Sequence, residues 1–362
     1  MKKCLPIILA LACMLLLAAA HRAPAYIAGA VNVMCAQTGL VLYEYRQHEK
    51  HYPASLVKVM TALVVLENVT DLDEIIVMSE TAVALPWYAA NMRLSAGDQL
   101  TVWEALHGIM LPSANEVANA LAEFVAGSLA DFLGMMNARA YELGAVNTHF
   151  VNACGLPGDG QHITAYDMSL IMREAVTHPV FLEIIGTEFF TFPASIRHPE
   201  GRTLRNTNRL IRDEDSFYSQ FVVGGKTGWI RAAKNTLSTY SVQDNRGLIV
   251  TVLYTEGAAA TFADTIALLS HGFSQLAGVP LPATPPREIV INTPQSDAPA
   301  VLHVPAATYA PPPQAPPTAV PTPSPWEAVT AFALVVAKLL AGVTVFAGVG
   351  IFLIYFLRRK IN

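Results

Sequence analysis

Charge is scarce in this 362-residue chain: Asp, Glu, Lys and Arg make up 14% of it, and the net charge is −5. No basic stripe occurs, which excludes the phosphate-neutralising surface of a nucleic-acid binder. Cysteine is nearly absent as well. Of the four, Cys4 and Cys13 fall in an apolar leader, which leaves Cys35 and Cys154 to pair or to stand as free thiols. There is no Gly-x-Ser-x-Gly elbow, so the hydrolase type that presents its serine that way is excluded. Histidines never take metal-ligand spacing. In His48-Glu49-Lys50-His51 they stand three apart rather than four, close to Pro53, while His162, His198, His271 and His303 are scattered. No metal, cofactor or internal repeat is expected.

What the chain has in excess is apolar residues, 53% of the total, and its two ends account for much of that. Met1-Lys2-Lys3 followed by an apolar run reads as a secretory signal over residues 1–25, with Ala23-Pro24-Ala25 as the cleavage site; uncleaved, it would be an anchor. At the other end, Leu339 to Leu357 is uncharged and as long as a bilayer core requires, about 17–25 residues. Arg358-Arg359-Lys360 follow it and assign that end to the cytoplasm. A single transmembrane helix is therefore expected within 327–358, with a short tail at 359–362. Residues 280–326 are dominated by proline and alanine and read as a semi-rigid spacer, in which Glu288–Ile291 and Val301–Val304 are able to pair as a small hairpin.

Residues 26–279 carry the pattern of one α+β domain, a mostly antiparallel sheet covered by helices. Val31–Cys35 and Leu40–Tyr45 flank a hairpin turn at Ala36–Gly39. A helix is expected from Ala54 or Ser55, after Pro53. Thr101 is a candidate cap for a further helix, and apolar residues recur at helical spacing from Asn115 to Leu143, with a break near Gly127. Asp167–Ala175 continues the helical middle, and the stretch from Phe189 to Ser219 reads as irregular and polar. Phe221-Val222-Val223 begins a strand. Thr236–Val242 and Leu248–Tyr254, with Asn245-Arg246-Gly247 between them, and a helix over Thr261–Leu276 close the domain.

Three short motifs carry chemistry. Ser55 and Lys58 stand one helical turn apart in apolar surroundings, where a desolvated amine is able to take the hydroxyl proton of a serine nucleophile. Ser113-Ala114-Asn115 follows Leu111-Pro112 at a helix start, and Lys226-Thr227-Gly228 ends a strand. Taken singly, the second is most often a helix cap and the third a solvated turn. Gly225-Lys226-Thr227 also imitates the tail of a phosphate-binding loop, but Gln220 stands where that loop needs glycine and no helix follows. The ordered trio matches the signature of penicillin-interacting serine enzymes. In that reading Ser55 is the acyl nucleophile, Lys58 the general base, Ser113 a proton relay to the leaving amine, and Asn115 orients Lys58 and substrate. Lys226 raises the local positive potential, Thr227 binds a terminal carboxylate, Gly228 admits substrate close to the strand, and the N–H groups of Ser55 and Trp229 hold the oxyanion.

From Ala28 to Gly278 the chain resembles the D-alanyl-D-alanine carboxypeptidases, the low-molecular-weight penicillin-binding proteins. Pro53 to Thr61, Met135-Met136-Asn137, Glu142-Leu143-Gly144, Asn147 to Phe150, Gly155-Leu156, Thr164 to Met168 and Asn206-Thr207-Asn208 all share in the likeness. The resemblance implies a β-lactamase/transpeptidase-like fold. It also implies removal of the terminal D-alanine from peptidoglycan stem peptides through an acyl-serine, with β-lactams trapping Ser55. The implied partners are peptidoglycan and β-lactams; the leader and the apolar span add the cell membrane, with the catalytic domain outside the cytoplasm. Three features depart from the family. Trp229 stands where a His or Tyr is usual; Ala258-Ala259-Ala260-Thr261 lacks the arginine expected near Thr261, for which Arg231 is a candidate substitute; and spacer and span replace a second β-rich domain. The alternatives are a DD-endopeptidase, a catalytically weak penicillin-binding wall sensor and, least favoured, a β-lactamase.

Overall fold

The computed structural model describes residues 26–279, 286–291 and 300–305. The expected signal, most of the spacer, the transmembrane span and the tail lie outside the described residues. Among the described residues no single helix is long and apolar enough to cross a membrane.

At the centre is a five-stranded antiparallel sheet built from both ends of the domain. Strands β1 (Ala30–Cys35) and β2 (Val41–Tyr45) come from the N-terminal side. A helical middle follows: α1 (Val57–Asn68), the β3 (Ile75–Val77) and β4 (Gln99–Thr101) pair with α2 (Glu80–Val83) between them, then α3 (Val102–Met110), α4 (Asn115–Ala126), α5 (Leu129–Glu142), α6 (Ala165–Ala175) and α7 (Pro179–Gly186). A small hairpin of β5 (Phe189–Phe192) and β6 (Arg202–Arg205) precedes β7 (Val222–Ile230), β8 (Lys234–Gln243), β9 (Arg246–Thr255) and α8 (Ala258–Leu276). The strand order in the central sheet is β2-β1-β9-β8-β7, so β7 is an edge strand. A separate antiparallel ladder pairs β10 (Pro286–Ile291) with β11 (Ala300–Pro305), as the small hairpin expected within the spacer requires.

Strand β1 is buried on both faces of the sheet, and its sequence shows why. Val31, Val33 and Cys35 point to an apolar cluster shared with Phe262, Leu268 and Leu269 of α8. Ala30 and Met34 point to the larger cluster shared with the helical middle. Every residue of β1 is buried, so apolar residues at both parities are needed rather than strict alternation. The one polar member, Asn32, donates to Gln47 Oε1 at 2.6 Å.

Local chemistry sets the element ends. Thr101 caps α3 in a capping box with Glu104. Gly127, at φ +75°, ends α4 and lets Ser128 start α5, which is the break read near Gly127. The β8–β9 turn is Asp244-Asn245, both left-handed, rather than Asn245-Arg246-Gly247; a two-residue loop of this twist leaves Arg246 free to begin β9. Helix α8 starts at Ala258, three residues before the expected Thr261, because Gly257 at φ +86° turns the chain there. The β5–β6 hairpin is absent from the sequence reading. Its strands are four residues long and separated by a polar stretch, which hides the pairing of Phe189 with Arg205 and Phe192 with Arg202.

Candidate active site

Ser55 sits in a single 3-10 turn, Ala54–Leu56, that leads into α1. Ala54 before it adopts φ +50°, a left-handed conformation that costs a residue with a Cβ about 1–2 kcal/mol. Surrounding groups hold the turn there. Thr236 Oγ1 donates to Pro53 O at 3.1 Å. Gly155, at φ +89°, lies against the Ala54 carbonyl so closely that a Cβ on it would stand 1.9 Å from that oxygen. Gly228 presses from the strand side, where a Cβ would come within 2.9 Å of Ser55 N and 2.5 Å of Thr236 Oγ1. Glycine at 228 therefore makes room for the nucleophile turn itself, a different reason from the substrate approach read in the sequence.

Lys58, in the first turn of α1, is fully buried. Its Nζ reaches Ser55 Oγ at 3.1 Å, Asn115 Oδ1 at 2.6 Å and Cys154 O at 2.5 Å. A neutral amine has two N–H donors and one lone pair, so Asn115 and Cys154 can take the donors and leave the lone pair for the serine hydroxyl. Burial holds Lys58 below the usual lysine range, at about 8, with Cys154 and Glu116 pulling the other way. Cys154 and Cys35 are both free and buried, so they do not pair.

Ser113 is not a cap. Residue Ala114 holds the N-cap position of α4 with no side-chain hydrogen bond, and Ser113 takes φ +66°. Its Oγ is buried without a protein partner among the described residues, and the residue lines the same cleft as Ser55. The loop is fixed by backbone bonds from Ala114 N to Gly108 O and from Asn115 N to Ala90 O, both 2.9 Å. Glu116 accepts from Met92 N at 2.5 Å and holds the neighbouring segment.

The third motif lies inside β7 rather than at its end, since the strand continues to Ile230. Lys226 is fully buried and donates to Thr227 O at 3.1 Å. Burial, and then the charge on Lys58, pushes Lys226 well below the usual lysine range. Burial thus works against the positive potential expected of Lys226. Thr227 shares a 2.7 Å hydroxyl–hydroxyl bond with Thr207, and Trp229 stands at the rim with 65% of its surface exposed.

These residues converge on one cleft of about 420 Å³, lined by Ser55, Ser113, Thr227, Gly228 and Trp229 and also by Arg209, Arg212, Ala258 and Thr261. Arg231 is not among the lining residues. The sequence reading missed Arg209 and Arg212. Their signal was their place just after Asn206-Thr207-Asn208, and two arginines in a polar stretch look like an ordinary solvated face. Away from the cleft, Glu188, Asp213 and Glu214 cluster, but Arg205 bridges Glu188 and Glu214 and supplies their countercharge.

Comparison with known proteins points the same way. A family profile described as D-alanyl-D-alanine carboxypeptidase matches residues 18–257. The D-alanyl-D-alanine carboxypeptidase DacF of Bacillus subtilis is 34% identical over 251 residues, covering 67% of this chain and 61% of that relative, so this chain spans less than two thirds of its length. The D-alanyl-D-alanine carboxypeptidase DacB2 of Mycobacterium tuberculosis is 30% identical over 244 residues, covering 66% of this chain and 79% of the relative. Among solved structures, the Streptomyces K15 DD-transpeptidase matches with a TM-score of 0.64 at 28% identity, over 70% of this chain and 99% of that one.

Proposed function

Because this chain belongs to the D-alanyl-D-alanine carboxypeptidase family, we infer that it removes the terminal D-alanine from peptidoglycan pentapeptide stems by way of an acyl-serine. The observation that carries this reading is the buried Lys58 amine bonded at once to Ser55, Asn115 and Cys154 at the floor of the cleft. Neutral Lys58 takes the proton as Ser55 Oγ attacks the carbonyl carbon of the penultimate residue. Ser55 and Trp229 both line the cleft, and their N–H groups are the ones assigned to hold the developing oxyanion, while Asn115 fixes the lysine and the substrate backbone. The proton passes by way of Ser113, whose hydroxyl has no competing partner, to the departing amine as the C–N bond breaks. Water then attacks the ester with Lys58 again as base, which frees the shortened stem and Ser55. A β-lactam enters the first half of this cycle and remains as the acyl-enzyme.

The same inference extends to location. The signal-like leader at 1–25, the spacer at 280–326, the apolar span within 327–358 and the basic tail at 359–362 support a single-pass cell-membrane protein. Its catalytic domain, residues 26–279, would stand outside the cytoplasm within reach of the wall. Fluorescent-penicillin labelling and D-alanine release, measured side by side on wild type and Ser55→Ala, test the reading. Wild type is expected to do both and the variant neither; equal D-alanine release from the two would overturn it.

A further inference from the structure

Helix α8 brings Ala258 and Thr261 to the cleft with no basic side chain between them, so the positive charge that faces a substrate carboxylate has to come from elsewhere. Three arginines stand near, and two of them are occupied. Arg205 is paired with Glu188 and Glu214. Arg209 is paired with Asp215 at 2.7 Å, over the rings of Phe217 and Phe262. Arg212 lines the cleft and, among the described residues, has no carboxylate in an ion pair. Its Nε, at 3.0 Å, and Nη2 both donate to Asn206 O, which fixes the guanidinium and leaves Nη1 uncommitted in these bonds.

Beside it, Thr207 and Thr227 hold two hydroxyl protons between them, and their 2.7 Å mutual bond uses only one. The cleft wall therefore offers a fixed cation and a spare O–H donor, the pair of groups a carboxylate takes up. We propose that Arg212, with the Thr207–Thr227 hydroxyl pair, binds the C-terminal carboxylate of the substrate and makes the enzyme specific for free-acid peptides. The assignment rests on the carboxypeptidase reading and replaces Arg231, the residue singled out by sequence. Lys226 is fully buried and is not among the lining residues of the cleft, so of the side chains that line it Arg212 is the cation without a carboxylate partner among the described residues.

The test uses an acyl-D-alanyl-D-alanine peptide and the same peptide with a C-terminal carboxamide. Wild type is expected to prefer the acid by about tenfold or more in kcat/KM. Arg212→Gln keeps a donor for Asn206 O but no charge. It is expected to lose about 10–100-fold on the acid, mainly through KM, and to stay within about twofold on the amide, which closes the gap. Arg212→Lys is expected to restore part of the preference, and Arg231→Gln to leave both substrates unchanged. Because the acid-to-amide ratio is internal to each protein, a merely unstable variant would lower both rates and leave the ratio alone. An unmoved ratio in Arg212→Gln, or a ratio closed by Arg231→Gln instead, overturns the assignment while the carboxypeptidase reading stands. A wild type that neither releases D-alanine nor takes up penicillin overturns both.

Discussion

Replacing Gly155 by alanine should disable the nucleophile without touching any group that does chemistry. The new Cβ would lie 1.9 Å from Ala54 O, 2.4 Å from Ala54 C and 2.9 Å from Ser55 N, so the two segments have to part by at least 1.1 Å to reach even 3.0 Å. The obstacle is backbone, which cannot swing aside as a long side chain would. At φ +89° the alanine also takes on about 1–2 kcal/mol of left-handed strain. Cys154 O, one residue away, is a hydrogen-bond acceptor of Lys58, so the displacement disturbs base and nucleophile together. A misplacement of about 1 Å costs on the order of a hundredfold in rate. Penicillin acylation of Gly155→Ala, followed by stopped-flow or gel fluorescence, should therefore slow by about that factor, with melting lowered by about 4–8 °C. Gly127→Ala is the control. It is also left-handed, at φ +75°, but has nothing within 4 Å, so it should lower melting by only about 2–4 °C and acylate at the wild-type rate. Wild-type acylation by Gly155→Ala, or equal losses in the two variants, would refute the reasoning.

Acylation needs neutral Lys58, held at about 8, so the second-order rate with penicillin should fall about tenfold per pH unit below that value; a flat profile from pH 6 to 8 would remove Lys58 as the base. Asn115→Asp places a negative charge where the amide oxygen now accepts from Lys58 at 2.6 Å and should move that limb to higher pH. Glu116→Gln removes a group that favours the ammonium and should move it to lower pH; shifts of the same sign in both would contradict this account. Arg139 ties α5 to α1 and α6 through Glu67 at 2.7 Å and Glu174 at 2.9 Å. Arg139→Ala should cost about 2 kcal/mol in denaturant unfolding and leave acylation unchanged.

The parts of the fold legible in the sequence were those whose cause is local. Thr101 announced a helix start, Gly127 a helix break, and the Ser55–Lys58 spacing a shared face, and each stands where expected. The site was legible because its three motifs keep chain order, although nothing short-range shows that Asn115 Oδ1 would meet Lys58 Nζ. What the sequence concealed is decided by neighbours far along the chain. Gly228 looks like an opening for substrate until the Ser55 turn is seen against it. Lys226 looks like a plain cation until burial removes its water. Arg212 looks solvated until the fold carries it to the cleft wall and leaves Arg205 and Arg209 to their own carboxylates.

The seat of Ser55 has a bearing on how the protein is made. Its supports, Gly155, Gly228 and Thr236, leave the ribosome long after the serine does. A nascent chain that ends before β8 holds the hydroxyl, the lysine, Gly155 and Gly228 but lacks Thr236, whose hydroxyl ties Pro53 O beside the left-handed Ala54. The seat of the nucleophile is therefore complete only once β8 has been made, about 180 residues after the serine itself.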